Sequence, residues 1–127
     1  MKERIRSCFL PLLLAALFAC GTNDPPVRRY HVRALVKEVS GSGADLRVAL
    51  HHERIPNFED RDGKRSEMSA MTMVFGVAPE VAVAQLKAGA KVEVDFDVRW
   101  SQAPALLVVS AAALPEGTEL VLPPDHH

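Results

Sequence analysis

The sequence predicts an all-β fold, a small OB-type five-stranded Greek-key barrel with one short helix between strands three and four. Three observations predict it. Five segments carry strand patterns, a single helical pattern separates the third from the fourth, and the chain is long enough for only one domain. The same strand order would also suit a small open sandwich.

The first strand is Tyr30–Val39 (YHVRALVKEV), rich in β-branched residues and partly alternating. Ser40-Gly41-Ser42-Gly43 turns the chain. Asp45–His52 (DLRVALHH) is the second strand. Leu46, Val48, Leu50 and His52 share one face, and His51 is expected to face solvent. Arg54–Glu67, with Pro56 and Asp62-Gly63, reads as a long polar loop. The run Glu59-Asp60-Arg61-Asp62 lacks the ligand spacing of a calcium loop.

Met71–Val77 (MTMVFGV) is the third strand, with Met71, Met73, Phe75 and Val77 on one face. Pro79–Ala88 (PEVAVAQLKA) is expected to be the helix. Pro79 suits its first turn, Glu80 complements the dipole there, and Gly89 suits its end. Lys91–Trp100 (KVEVDFDVRW) alternates most cleanly, with Val92, Val94, Phe96 and Val98 inward. Ala105–Leu114 is a near-continuous apolar run, as a buried fifth strand would be.

The amino terminus predicts export. Lys2, Arg4 and Arg6 precede a 12-residue apolar stretch, Cys8–Ala19, which is short of the roughly 20 residues of a membrane span. Leu17-Phe18-Ala19-Cys20 resembles the lipobox of bacterial lipoproteins, which implies cleavage before Cys20 and lipidation of that cysteine. The expected division is a signal over 1–19, a lipidated tether over 20–29, a barrel over 30–114 and a tail over 115–127. Several acyl chains would anchor the protein stably. Gly21 lacks the acidic character that marks inner-membrane retention in enteric bacteria, so the outer membrane is favoured, facing the periplasm.

Composition excludes several functions. Beyond residue 19 there are 12 basic and 15 acidic residues, a poor match to nucleic acid. The cysteines are Cys8 and Cys20, so the mature part can form no internal disulfide, thiolate zinc cage or blue-copper site. No motif supports an enzyme. The terminal His126-His127 reads as an unstructured end.

The chemistry lies in the methionines. Of four, three fall within six residues: Met68, Met71 and Met73. Core packing is the ordinary use of methionine, but it gives no reason for such clustering, and Met68 sits outside the expected strand. Thioether sulfur is soft and uncharged, and it selects monovalent copper and, by the same softness, silver. Residues i and i+2 on a strand face the same way, so Met71 and Met73 can converge on one ion. His52, on the inward face of its strand, is the candidate fourth donor. Such a site has no thiol proton to displace, so proton competition would fall on His52.

His52-Glu53-Arg54-Ile55-Pro56, followed by Met68-Ser69-Ala70-Met71-Thr72-Met73-Val74-Phe75, resembles the CusF family of periplasmic copper-binding proteins. The resemblance spans roughly residues 32 to 112. It implies an OB-type barrel and binding of Cu(I) or Ag(I) by His52, Met71 and Met73. In the best-known branch a tryptophan three residues before the first methionine covers the ion; here that position is Met68, which implies a three-sulfur, one-nitrogen site. The segment Glu59–Ser66 looks inserted, which would let Phe58 reach the site, and Trp100 is expected to pack in the core or rim.

The expected function is therefore that of a monomeric periplasmic lipoprotein acting as a copper metallochaperone or buffer. It would serve an efflux-pump component or a copper-enzyme assembly factor. The rival is a metal-free structural lipoprotein using its methionines as a contact surface. An oligosaccharide-binding barrel is a weaker rival, because it needs exposed aromatics and the chain has few.

Overall fold

The computed structural model describes residues 26–123. The expected signal, Cys20 and His126-His127 lie outside them. Among the described residues the chain forms seven strands: β1 (Arg28–Ser40), β2 (Arg47–His52), β3 (Ile55–Glu59), β4 (Arg65–Met68), β5 (Met71–Val77), β6 (Lys91–Val98) and β7 (Leu106–Ala113). Five of them close a barrel in the order β1-β2-β5-β7-β6. All its ladders are antiparallel except β5–β7, which pair in parallel at Gly76↔Leu107 and Val77↔Val108. Closure removes the exposed edges that an open five-stranded sheet would carry. The five expected barrel strands are all present, with ends shifted by a few residues.

Alternation builds the core. β6 buries every second residue, Val92, Val94, Phe96 and Val98. Val32, Ala34 and Val36 of β1, Val48 and Leu50 of β2, Phe75 and Val77 of β5, and Val108 of β7 meet them inside. Gly76 is required at the parallel seam: a Cβ there would run into the Pro104 ring.

Two expectations fail. No α-helix spans 79–88; that stretch holds only a 3-10 turn at Val83–Gln85. Its backbone bonds are of the i→i−3 kind, Val81 to Ala78, Gln85 to Ala82 and Leu86 to Val83. The buried residues are Val81 and Leu86, which are five apart and would not share a helical face. Packing of those two onto the barrel overrides the helix-end signals of Pro79 and Gly89.

The long loop over 54–67 is also wrong. It is a hairpin, with β3 and β4 paired at Ile55↔Met68, Phe58↔Ser66 and Glu59↔Arg65. Ile55 and Phe58 are buried, and the register shift between them takes up the extra residue around Pro56 and Asn57. Asp60 turns the hairpin: its Oδ1 accepts the N–H groups of Asp62 and Lys64 at 2.9 Å each. An aspartate side chain that bonds the backbone two residues on is a common way to make such a turn.

Phe58 packs against Tyr30 (ring centroids 5.2 Å) and edge-on to Trp100 (6.3 Å), while Tyr30 also meets Phe96 (5.6 Å). The Tyr30 hydroxyl accepts the Glu59 N–H at 2.9 Å. Trp100 keeps its expected packing role, with the Arg61 guanidinium 5.1 Å from its ring centre.

On the outer face of β1 and β6, His31 Nδ1 lies 2.6 Å from Asp95 and Nε2 lies 3.0 Å from Glu93. The bond to Asp95 is the chief reason the His31 pKa stands above its usual value; partial burial opposes it and Glu93 adds to it. Asp95 is held below its usual range first by His31, against partial burial, and then by Ser110. A raised histidine stabilises the fold below its unfolded pKa and loses that contribution as pH rises through the folded value. His31→Gln is therefore expected to lower stability at pH 5.5 by less than about 1 kcal/mol, since the pair is largely exposed. The difference should shrink as pH rises through the raised His31 value, as thermal melts across the alkaline range would check.

Candidate metal centre

The site sits where one ladder breaks and resumes. His52↔Met71 is the last pair of the β2–β5 ladder, and Ile55↔Met68 opens the β3–β4 ladder. Two residues separate the ladders on each side, Glu53-Arg54 and Ser69-Ala70. His52, Met68 and Met71 therefore all flank one interruption. Met73 lies one step inside it, opposite Leu50.

His52 continues the inward face of Val48 and Leu50 and is fully buried. A buried imidazole needs partners for its polar atoms. Its Nδ1 lies 2.7 Å from the Glu53 carbonyl oxygen. A carbonyl only accepts, so Nδ1 carries the proton and donates it. In the neutral ring this leaves Nε2 with the lone pair. Nε2 lies 3.3 Å from Met73 Sδ. A thioether carries no hydrogen, so in this tautomer two electron-pair donors face one another. The two are close enough that one soft ion could take both as donors.

Met71 is directly across the ladder from His52, and directly opposed residues have Cβ atoms about 4.5–5.5 Å apart. Met71 is 36% exposed, whereas Met73 and Met68 are half-buried against the core. The donor cluster thus runs from a buried imidazole to a thioether at the surface. Met68 is on β4 rather than in a loop, three residues before Met71 across the break. Phe58 belongs to the Tyr30–Trp100 aromatic group instead of the donor cluster. Among the described residues no group of three or more His, Cys, Asp or Glu side chains is placed to hold a metal.

His51 corrects one expectation. It takes the outward parity, so the two histidines diverge as the pleat requires, but it is 6% exposed instead of solvent-facing. The segment after β7 reaches the next residue but one, with the Val121 N–H donating to Glu53 Oε2 at 2.8 Å.

Glu53, which lacks the second histidine that would make it part of a zinc-protease motif, has a structural role instead. Its N–H donates to the Arg33 carbonyl at 3.0 Å, and its carboxylate takes two bonds from the Arg33 guanidinium at 2.9 and 2.7 Å. Burial alone would raise its pKa, but the bonds from Arg33 and Val121 outweigh that and hold it below the usual carboxylate range.

The sequence of residues 29–106 matches the family model described as copper binding periplasmic protein CusF. No curated protein sequence matches the chain. Among solved structures, apo-CusF residues 6–88 from Escherichia coli is 18% identical, with a TM-score of 0.51 over 75% of this chain and 98% of that one. A crystal structure of Ag(I)CusF is 21% identical, with a TM-score of 0.46 over 71% of this chain and all of the other. The first of these likenesses supports the barrel fold. The family is one of metal-binding proteins and not of enzymes. As its model matches more than half of the sequence, the chain belongs to the CusF family of copper-binding periplasmic proteins.

Proposed function

We propose that the chain is a periplasmic protein that binds Cu(I), and Ag(I) by the same soft-donor chemistry. The ligands are His52 Nε2 and the thioethers of Met71 and Met73, with Met68 as a third sulfur. The observation that carries this reading is the imidazole lone pair held 3.3 Å from Met73 Sδ, with Met71 paired across the ladder. Neutral donors suit a monovalent soft ion and release it without a proton exchange at sulfur. The exposure of Met71 favours transfer, so a chaperone or buffer role is proposed, serving an efflux-pump component or a copper-enzyme assembly factor. Cys20 is proposed as the lipid-bearing residue, the barrel being tethered through 20–29 to the outer membrane as a monomer.

The metal-free contact-surface reading has one observation behind it, the exposure of Met71 and Val74. They are three apart on β5 and face opposite sides of it, so they do not form one apolar patch.

The test is an anaerobic Cu(I) titration of residues 22–127 against a chromogenic chelator, with Met68→Leu alongside. One tightly bound equivalent is expected. Met68→Leu is expected to bind about tenfold or more weakly if the sulfur is a ligand; an unchanged affinity would reduce Met68 to a cover. Failure of the unaltered chain to compete would overturn the copper reading.

A further inference from the structure

The family match ends at residue 106 and β7 ends at Ala113, yet the chain that follows is tied down. The Leu114 N–H donates to the Lys91 carbonyl at 2.9 Å. Lys91 Nζ donates to the carbonyls of Glu116 (3.2 Å) and Thr118 (2.6 Å). The Val121 N–H then reaches Glu53 Oε2 at 2.8 Å. Lys91 opens β6 and Glu53 follows β2, and in the barrel β1 lies between those strands. The segment from Leu114 to Val121 therefore passes from the β6 side to the β2 side across β1. Chain ends without a strand or helix usually fray. In this segment Val121 is bonded to the residue that orients the imidazole.

Glu53 is held through its N–H by the Arg33 carbonyl and through both carboxylate oxygens by Arg33, one of them shared with Val121. The carbonyl of this same residue accepts the His52 Nδ1–H at 2.7 Å. That bond fixes the tautomer and keeps the Nε2 lone pair on the side of Met73. Partners that orient a metal-bound histidine typically change metal affinity by roughly tenfold to a hundredfold when removed.

We propose that the segment Leu114–Val121 is a strap that sets the metal affinity of the His52 site from outside the family-matched residues, acting through Glu53 as a positioning residue. The proposal rests on the copper reading. Without the Val121 bond, the Glu53 carboxylate keeps Arg33 alone, and the carbonyl that holds Nδ1–H is less firmly placed. The ring then samples both tautomers and other orientations, binding weakens and the ion leaves faster.

The decisive variant is Val121→Pro, which deletes the one N–H and leaves Glu53 and Arg33 intact. Val121→Ala keeps the N–H, and since the Val121 side chain is 71% exposed it serves as the control. Glu53→Gln is a second variant, retaining the carbonyl while weakening both holds on the side chain. The readouts are Cu(I) competition, the Ag(I) dissociation rate, and long-range proton–nitrogen NMR of the His52 ring in the metal-free protein. Val121→Pro and Glu53→Gln are expected to bind Cu(I) about threefold to tenfold more weakly, a smaller loss than for a group touching the ligand itself. Both should release Ag(I) faster and shift the ring nitrogens toward a tautomer average, with Val121→Ala unchanged.

Wild-type affinity, release and ring signals in both variants would overturn the strap. A lowered melting temperature with unchanged ring signals and affinity would do the same, by making the segment merely structural. If the unaltered chain binds no Cu(I), the copper reading fails, while the metal-free ring signals still decide whether the strap positions His52.

Discussion

Replacing Met71 and Met73 together with leucine is expected to abolish measurable Cu(I) binding while leaving the barrel folded. The two residues supply two of the four proposed donors, and they leave at most the imidazole and Met68 for a soft monovalent ion. A loss of at least about a hundredfold in affinity is expected, since even groups one step removed from a metal cost tenfold to a hundredfold. The fold should survive because leucine and methionine are close in volume, and such swaps usually cost less than about 1.5 kcal/mol. Met73 is half-buried and Met71 is at the surface, so neither opens a cavity in the barrel. Competition titration and a thermal melt on the same sample decide the matter. A folded double variant that still binds one equivalent would remove both sulfurs from the site.

The parts of this protein that were legible in its sequence are those set by local periodicity. The alternation of Lys91–Val98 announces a half-buried strand because its charged and apolar residues separate cleanly. The inward parity of His52 could be counted from Leu50, and the methionine cluster stood out because thioethers have no reason to gather by chance. The β3–β4 hairpin was hidden for a physical reason. It buries only Ile55 and Phe58, and its register shift breaks the alternation that would have marked it.

The helix over 79–88 was misread because its end signals are local, whereas the burial of Val81 and Leu86 is tertiary. Glu53 was equally out of reach. Its role depends on Arg33 from β1 and Val121 from beyond β7, which are 20 and 68 residues away. No spacing rule joins such residues before the barrel closes. The proposed donors come from a stretch of 22 residues, whereas the groups that orient them come from the first strand and from beyond the last.

Phe96→Ala is expected to produce the largest stability loss in the protein, and one that bound metal partly reverses. Phe96 is 1% exposed, and its ring lies 5.0 Å from Phe75 and 5.6 Å from Tyr30. Truncating such a core ring typically costs about 3–5 kcal/mol. Small domains hold only about 5–15 kcal/mol in total, so this variant should lie near its unfolding threshold. Phe75, which would line the resulting cavity, is two residues from Met73 on the same face of β5. The cavity and the proposed site thus share a strand, and folding and binding are linked through it. An ion that binds only the folded state at a hundred times its Kd adds about 2.7 kcal/mol. Silver is therefore expected to raise the melting temperature of Phe96→Ala by several degrees in a chain lacking residues 1–21. The same addition should do nothing for a variant that also carries Met71→Leu and Met73→Leu. An equal shift in both would trace the stabilisation to some other part of the molecule, and no shift in either would deny that the folded barrel holds the ion at all.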